Sequence, residues 1–155
     1  PMKLWILRHA RAEADSHSGR DRDRPLSAHG RAACQALNSW LSHSDHELPA
    51  QGRVSPSLRT RQTAQLTLAD LPVQWIIDQS LWIASTSDLL EQVKQARGDE
   101  ALWLVGHNPG LEELIYRLGC ELPLPGLKPG TLVILDLPDE GSAQLVEVVP
   151  PREST

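Results

Sequence analysis

Two histidines and a small set of arginines have the types and spacing to handle a phosphoryl group. His9 follows directly on the apolar run Met2-Lys3-Leu4-Trp5-Ile6-Leu7, with Arg8 beside it. Neutral imidazole, with an ordinary pKa of about 6.5, is a good nucleophile toward phosphorus near neutral pH. Taken alone, a histidine in this place is more often a structural residue. His107 lies between the apolar run 101–105 and the helix-start signal Asn108-Pro109. A helix N-terminus offers free N–H groups and a favourable dipole, so an anion is at home there. Its bland alternative is a histidine that merely closes the strand end. Gly106 before it lets the backbone approach closely or simply makes a turn. The third element is Ser55-Pro56-Ser57-Leu58-Arg59-Thr60-Arg61-Gln62-Thr63. It sets Arg59 in the first turn of a helix, where the dipole disfavours a cation unless an anion shares the site. Arg61, two residues on, reads as solvent-exposed.

Other chemistries lack their residues. The six histidines form no HxH or HExxH spacing, so no metal site is expected. No glycine-rich run precedes a Lys-Ser/Thr pair, and no GxSxG turn is present. Two histidines and at least two arginines around an anion suit phosphoryl transfer without a metal, because cationic donors can serve the equatorial oxygens. Residues 8–31 carry six arginines (8, 11, 20, 22, 24 and 31) and no lysine, the choice for holding phosphate in a fixed geometry. Glu13, Asp15, Asp21 and Asp23 are interleaved, so a solvated loop is the alternative there.

These residues need supports. The first apolar run reads as a strand buried on both faces. Polar residues 11–25 make a long loop, and Ser27 caps a helix with Ala33, Ala36, Leu37, Trp40 and Leu41 on one face. A short strand at Arg53-Val54-Ser55 leads to a helix from about Leu58 to Ala69. Val73 to Ile77 is a third strand, and Ser87 caps a helix with Leu89, Leu90 and Val93. The strand 101–105 leads to a helix capped by Asn108, with Pro109 first inside it and Gly119 past its end. Thr131 to Asp136 and Gln144 to Val149 form a closing pair around a turn near Asp139-Glu140-Gly141. Strands alternating with helices predict an α/β three-layer sandwich with a mainly parallel central sheet. Ligands bind outside the carboxyl ends of such strands, where the three candidate segments should meet.

The 155 residues fit one domain over 1–155, with Pro1 read as an added residue ahead of a natural start at Met2. No apolar run is long enough for a membrane span, and a net charge of −5 argues against nucleic acid. Cys34 and Cys120 follow no metal spacing and read as buried thiols of a reducing, cytoplasmic compartment.

The chain resembles the histidine phosphatase superfamily, the phosphoglycerate-mutase-like family. Arg8-His9-Ala10 is similar to its Arg-His-Gly signature, Ser55-Pro56-x-x-Arg59-x-x-Gln62-Thr63 to its second, and Gly106-His107 after a strand to its third. The small size, Asp23-Arg24-Pro25-Leu26-Ser27 and Val105-Gly106-His107-Asn108-Pro109 most resemble the SixA-type phosphohistidine phosphatases. The resemblance implies that His9 is the phosphorylated nucleophile and that Arg8, Arg59 and His107 cradle the phosphoryl group. Arg24 and Asn108 would be further substrate contacts. It implies no cofactor, a phosphate or sulfate anion in the pocket, and a partner bearing phosphohistidine, such as a phosphotransfer domain. Ala10 in place of Gly would be strained if the position needed a positive φ. Many ester-cleaving relatives carry a Glu general acid after the third strand. Here Asp78 lies in that stretch, and Asp88 just beyond is the possible acid. The alternatives are a phosphatase for a small phosphate ester and a phosphate-binding module without turnover.

Overall fold

The computed structural model describes residues 1–98 and 101–152. Its sheet contains β1 (Met2–Arg8), β2 (Gln51–Val54), β3 (Gln74–Ile77), β4 (Ala101–Gly106), β5 (Leu132–Leu137) and β6 (Gln144–Val149). The order across the sheet is β3-β2-β4-β1-β5-β6. β1, β4, β2 and β3 pair in parallel, whereas β5 runs antiparallel to β1 and β6 antiparallel to β5. The helices are α1 (Ala28–His43), α2 (Leu58–Thr67), α3 (Thr86–Gln95) and α4 (Gly110–Arg117).

β1 explains the layering. Its successive side chains point to opposite faces, and both faces are covered. Leu4 and Ile6 join a core with Leu89, Val93, Leu111, Leu114 and Ile115 of α3 and α4. Trp5 and Leu7 join a second core with Leu37, Leu41, Ala64 and Leu68 on the α1 and α2 side. Fully burying such an aliphatic side chain contributes about 1.5–3 kcal/mol, so this strand is a rigid mount for whatever follows it.

Most helix ends follow from local chemistry. Ser27 caps α1 by accepting from Gly30 N, and Ser57 caps α2 by accepting from Thr60 N. A Cβ on Gly30 would collide with the Arg11 carbonyl, so glycine is required where α1 passes the loop after β1. At the end of α4, Gly119 takes φ +95°, with Gly119 N donating to Tyr116 O and Cys120 N to Ile115 O. That is a Schellman closure.

Several boundaries differ from the sequence expectation. α3 is capped by Ser85, not Ser87. Ser85 and Asp88 form a reciprocal capping box, whose three-residue spacing decides the start. α4 begins at Gly110 with Pro109 before its first turn, and the side chain of Asn108 reaches past it to accept from Glu112 N. β2 starts two residues earlier than expected because it pairs with both β3 and β4. Among the described residues no helix is long and apolar enough to cross a membrane. Cys34 and Cys120 are buried free thiols.

Candidate active site

The strand order places β4 between β2 and β1, so the carboxyl ends of all three lie side by side. Backbone hydrogen bonds continue past the strands and lock the candidate segments together. His9 N donates to Gly106 O (3.0 Å), Ser55 N to Val105 O (3.0 Å) and Gly130 N to His9 O (3.0 Å). Thr63 couples the second segment to the first: its Oγ1 accepts from Ala10 N (3.0 Å) and donates to Arg59 O (2.7 Å). Gln62 Oε1 accepts from Leu26 N (2.8 Å), pinning the long loop as well. Ala10 is fully buried and is not among the residues with positive φ, so its methyl group is unstrained.

His9 Nδ1 lies 2.7 Å from Ala10 O. A carbonyl oxygen only accepts, so Nδ1 carries the proton and Nε2 keeps its lone pair. The rings of His9 and His107 are 5.4 Å apart. His107 Nε2 sits 2.7 Å from Ser55 Oγ. Burial pushes the His9 pKa down to about 3, against a raising bond to Ala10 O, and His107, Arg59 and Arg8 lower it further. His107 falls to about 4, first through burial, then through Arg59, with Asp21 opposing. Both imidazoles are therefore neutral at neutral pH.

Arg8, His9, Asp21, Arg24, Arg59 and His107 all line one cleft of about 690 Å³. Arg59 is only 6% exposed. Arg8 Nη1 donates to Leu127 O (2.9 Å), and Arg59 Nη1 and Nη2 donate to Asp21 O (2.8 Å) and Asp21 Oδ2 (3.1 Å). The Nε of both Arg8 and Arg59 is buried with no acceptor among the described residues. A buried donor left unpaired costs about 1–3 kcal/mol. Both arginines line the cleft, while the two Nε atoms themselves lie beneath its surface. Among the described residues no group of three or more His, Cys, Asp or Glu side chains is arranged to hold a metal ion.

A profile of the histidine phosphatase superfamily, branch 1, matches residues 4–82, about half of the chain. The chain belongs to the histidine phosphatase superfamily. No curated protein matches it. Among solved structures it is similar to SixA from Agrobacterium tumefaciens, a candidate phosphohistidine phosphatase, with TM-score 0.85 and 24% identity over 97% of this chain and 99% of that one. A second SixA candidate, from Nakamurella multipartitia, gives TM-score 0.81 and 25% identity over 97% and 96%. The protein histidine phosphatase SixA in complex with tungstate gives 0.81 and 24% over 97% of both chains. At these identities the likeness establishes the shared fold, the six-stranded mixed sheet of the superfamily between two helical layers.

At this cleft the sequence-derived residues separate. Arg8, His9, Arg59 and His107 converge in the cleft, and Arg24 lines it too, with Nε on Asp21 Oδ1 (2.9 Å) and Nη1 on Glu13 O (3.0 Å). Asn108 also lines it, yet its amide is engaged by backbone: Nδ2 donates to Leu127 O (3.0 Å) and Oδ1 accepts from Glu112 N (3.2 Å). Asp88 does not line the cleft. Its carboxylate accepts from Ser85 N (3.0 Å) in the capping box, so the structure assigns it a helix end. The carboxylates at the cleft are instead Asp21 and Glu113. Arg61 turns its Nε back to Pro56 O (3.0 Å) and is half-buried, contrary to the solvent-exposed expectation.

Three further residues escaped the sequence reading. Trp82 stands edge-on to His107 with ring centres 5.6 Å apart, and the guanidinium carbons of Arg59 and Arg22 each lie 5.8 Å from its ring centre. Nothing in its spacing marks it. Asp21 was visible only as one of the acids interleaved with arginine, a pattern that reads as a neutralised loop until the pairs are seen. Glu113 follows the third motif on α4, where its acidity near a helix start has an ordinary dipole explanation.

Proposed function

We propose that the protein is a phosphohistidine phosphatase acting in the cytoplasm on a phosphohistidine carried by a partner protein, such as a phosphotransfer domain, through a covalent phosphohistidine on His9. The observation that carries this is the Nδ1 anchor of His9 on Ala10 O, which leaves Nε2 unprotonated beside Arg8, Arg59 and His107. His9 Nε2 attacks phosphorus in line while the bond from phosphorus to the substrate nitrogen breaks. Arg8, Arg59 and a His107 that is protonated in the loaded site hold the equatorial oxygens. Water then attacks the phosphoryl group on His9, its proton passes to the departing phosphate, and neutral His9 returns. A phosphoramidate nitrogen leaves far more readily than an alcohol oxygen, so no dedicated acid is required of Asp88. The donors are all arginine and histidine nitrogens, consistent with turnover independent of metal. The SixA structures named above support the substrate class.

The deciding experiment compares phosphate release from a phosphohistidine-bearing phosphotransfer protein and from para-nitrophenyl phosphate, with EDTA present. Fast release from the phosphoprotein that vanishes in His9→Ala is expected. A His9→Ala variant with full turnover would refute the covalent route. Arg59→Ala should lower turnover by on the order of a hundredfold, as loss of a transition-state donor does. One observation favours a small phosphate ester as substrate: Glu113 lines the cleft and accepts from Thr86 Oγ1, so a carboxyl group stands where an alcohol leaving group could take a proton. Preference for the ester, lost in Glu113→Gln, would select that reading. Phosphate binding without any phosphoenzyme would indicate a binding module.

A further inference from the structure

An arginine carries five N–H protons in a planar fork. Asp21 engages Nη1 and Nη2 of Arg59, through its backbone oxygen at 2.8 Å and Oδ2 at 3.1 Å. The other carboxylate oxygen, Oδ1, accepts from Arg24 Nε at 2.9 Å. One acidic residue therefore bridges two arginines of the cleft. The partners differ sharply in exposure: the Arg59 side chain is 7% exposed and that of Asp21 is 61%. A buried cation is thus held from outside by a turn of another segment, Asp21–Asp23. That turn is fixed a second time through Arg22, which lies over Trp82 and donates through Nη2 to Gln79 Oε1 at 3.2 Å. Arg59 Nε, in contrast, remains buried without an acceptor.

We propose that Asp21 is a positioning residue for phosphoryl binding: it takes one N–H of Nη1 and one of Nη2 of the Arg59 fork and leaves the second N–H of each for the phosphoryl oxygens. The proposal rests on reading the cleft as a phosphoryl site. A guanidinium on a flexible stem loses rotamer freedom on binding unless it is already ordered, and the grip supplies that order in advance. The carboxylate also weakens the positive field of the cleft. If that charge dominated, Asp21 would compete with the substrate and its removal would tighten binding. The geometry points the other way, because the backbone oxygen of Asp21 shares the grip and Asp21 engages two of the five N–H groups of Arg59. Arg59 and Arg24 hold the Asp21 carboxyl below its usual range against the opposing effect of burial, so it stays ionised.

The test is tungstate binding and single-turnover kinetics for the wild type, Asp21→Asn, Asp21→Ala, Arg59→Ala and the double variant Asp21→Ala/Arg59→Ala. Loss of an orienting partner of this kind lowers affinity or activity by roughly tenfold to a hundredfold, and this is expected for Asp21→Ala. Asp21→Asn should recover part of the loss, since its one amide oxygen still accepts from Nη2 while its amide nitrogen cannot accept from Arg24 Nε. In the Arg59→Ala background, Asp21→Ala should have a much smaller effect, the remainder passing through Arg24. Tighter tungstate binding in both Asp21 variants, or an undiminished Asp21 effect without Arg59, would overturn the proposal while leaving the phosphoryl site intact. A wild type that binds no tungstate would overturn both.

Discussion

Anion binding should draw one proton from solution onto His107. In the empty site its pKa is about 4, so at pH 7 the imidazole is neutral. Raising it from 4 to 7 corresponds to about 4 kcal/mol, at 1.36 kcal/mol per unit. A unit charge at about 4 Å contributes about 4 kcal/mol at an effective dielectric of 20, and a dianion about twice that. The dianion therefore suffices to charge His107 across the neutral range, although Arg59 and Arg8 already depress it. Affinity should fall up to about tenfold per pH unit between roughly pH 5 and 8. Sulfate is the proper probe, because it remains a dianion over this range. Calorimetry in buffers of different ionisation enthalpy should report proton uptake per sulfate at pH 7, lower by close to one proton in His107→Gln. Binding that is independent of pH with no proton uptake would refute the reasoning.

Acidification should also destabilise the empty protein. His9 and His107 have folded pKa values of about 3 and about 4, below the ordinary value near 6.5, so the unfolded chain binds more protons in between. Stability is complete above about pH 7 and declines as pH falls toward 4. Urea melts at pH 7 and pH 4.5 should show this, with a smaller difference in the double variant His9→Gln/His107→Gln. Asp88→Ala should cost about 0.5–1 kcal/mol of stability through the lost capping box and leave phosphatase turnover unchanged, read by parallel melts and assays. Ile83 has φ +54° and is 83% exposed, an unfavourable backbone for a β-branched side chain with little burial in return. Ile83→Asn should raise stability by about 1 kcal/mol in denaturant titration.

The sheet and the convergence of three motifs were readable because each rests on a strong local signal. β1 and β4 are continuous apolar runs, and the motifs follow strand ends directly. α3 was misplaced at its start because Ser85 and Ser87 are both competent caps, and only Asp88, three residues after Ser85, selects between them. The same residue was expected as an acid because sequence position cannot tell a carboxylate turned to its own backbone from one turned to a cleft. Trp82 and Asp21 meet the site through segments that carry no periodic pattern, and Glu113 through the way α4 packs beside the strand ends. Arg24 could be placed near the site from its motif, but its sharing of Asp21 with Arg59 could not.

The position of β1 in the sheet bears on when this protein becomes competent during synthesis. The strand that ends in His9 bonds to β4 on one edge and to β5 on the other, near residues 101–106 and 132–137. Neither neighbour is close in the chain. At about 5–20 residues per second on the ribosome, β1 waits several seconds for its first partner. Non-local pairing of this kind slows folding and leaves apolar strand edges open meanwhile. The segment 1–98, although it holds His9 and Arg59, has neither β4 nor His107. A nascent chain of that length leaves the Leu4–Leu7 run without its strand neighbours, and the cleft can be complete only after β4 and His107 have emerged.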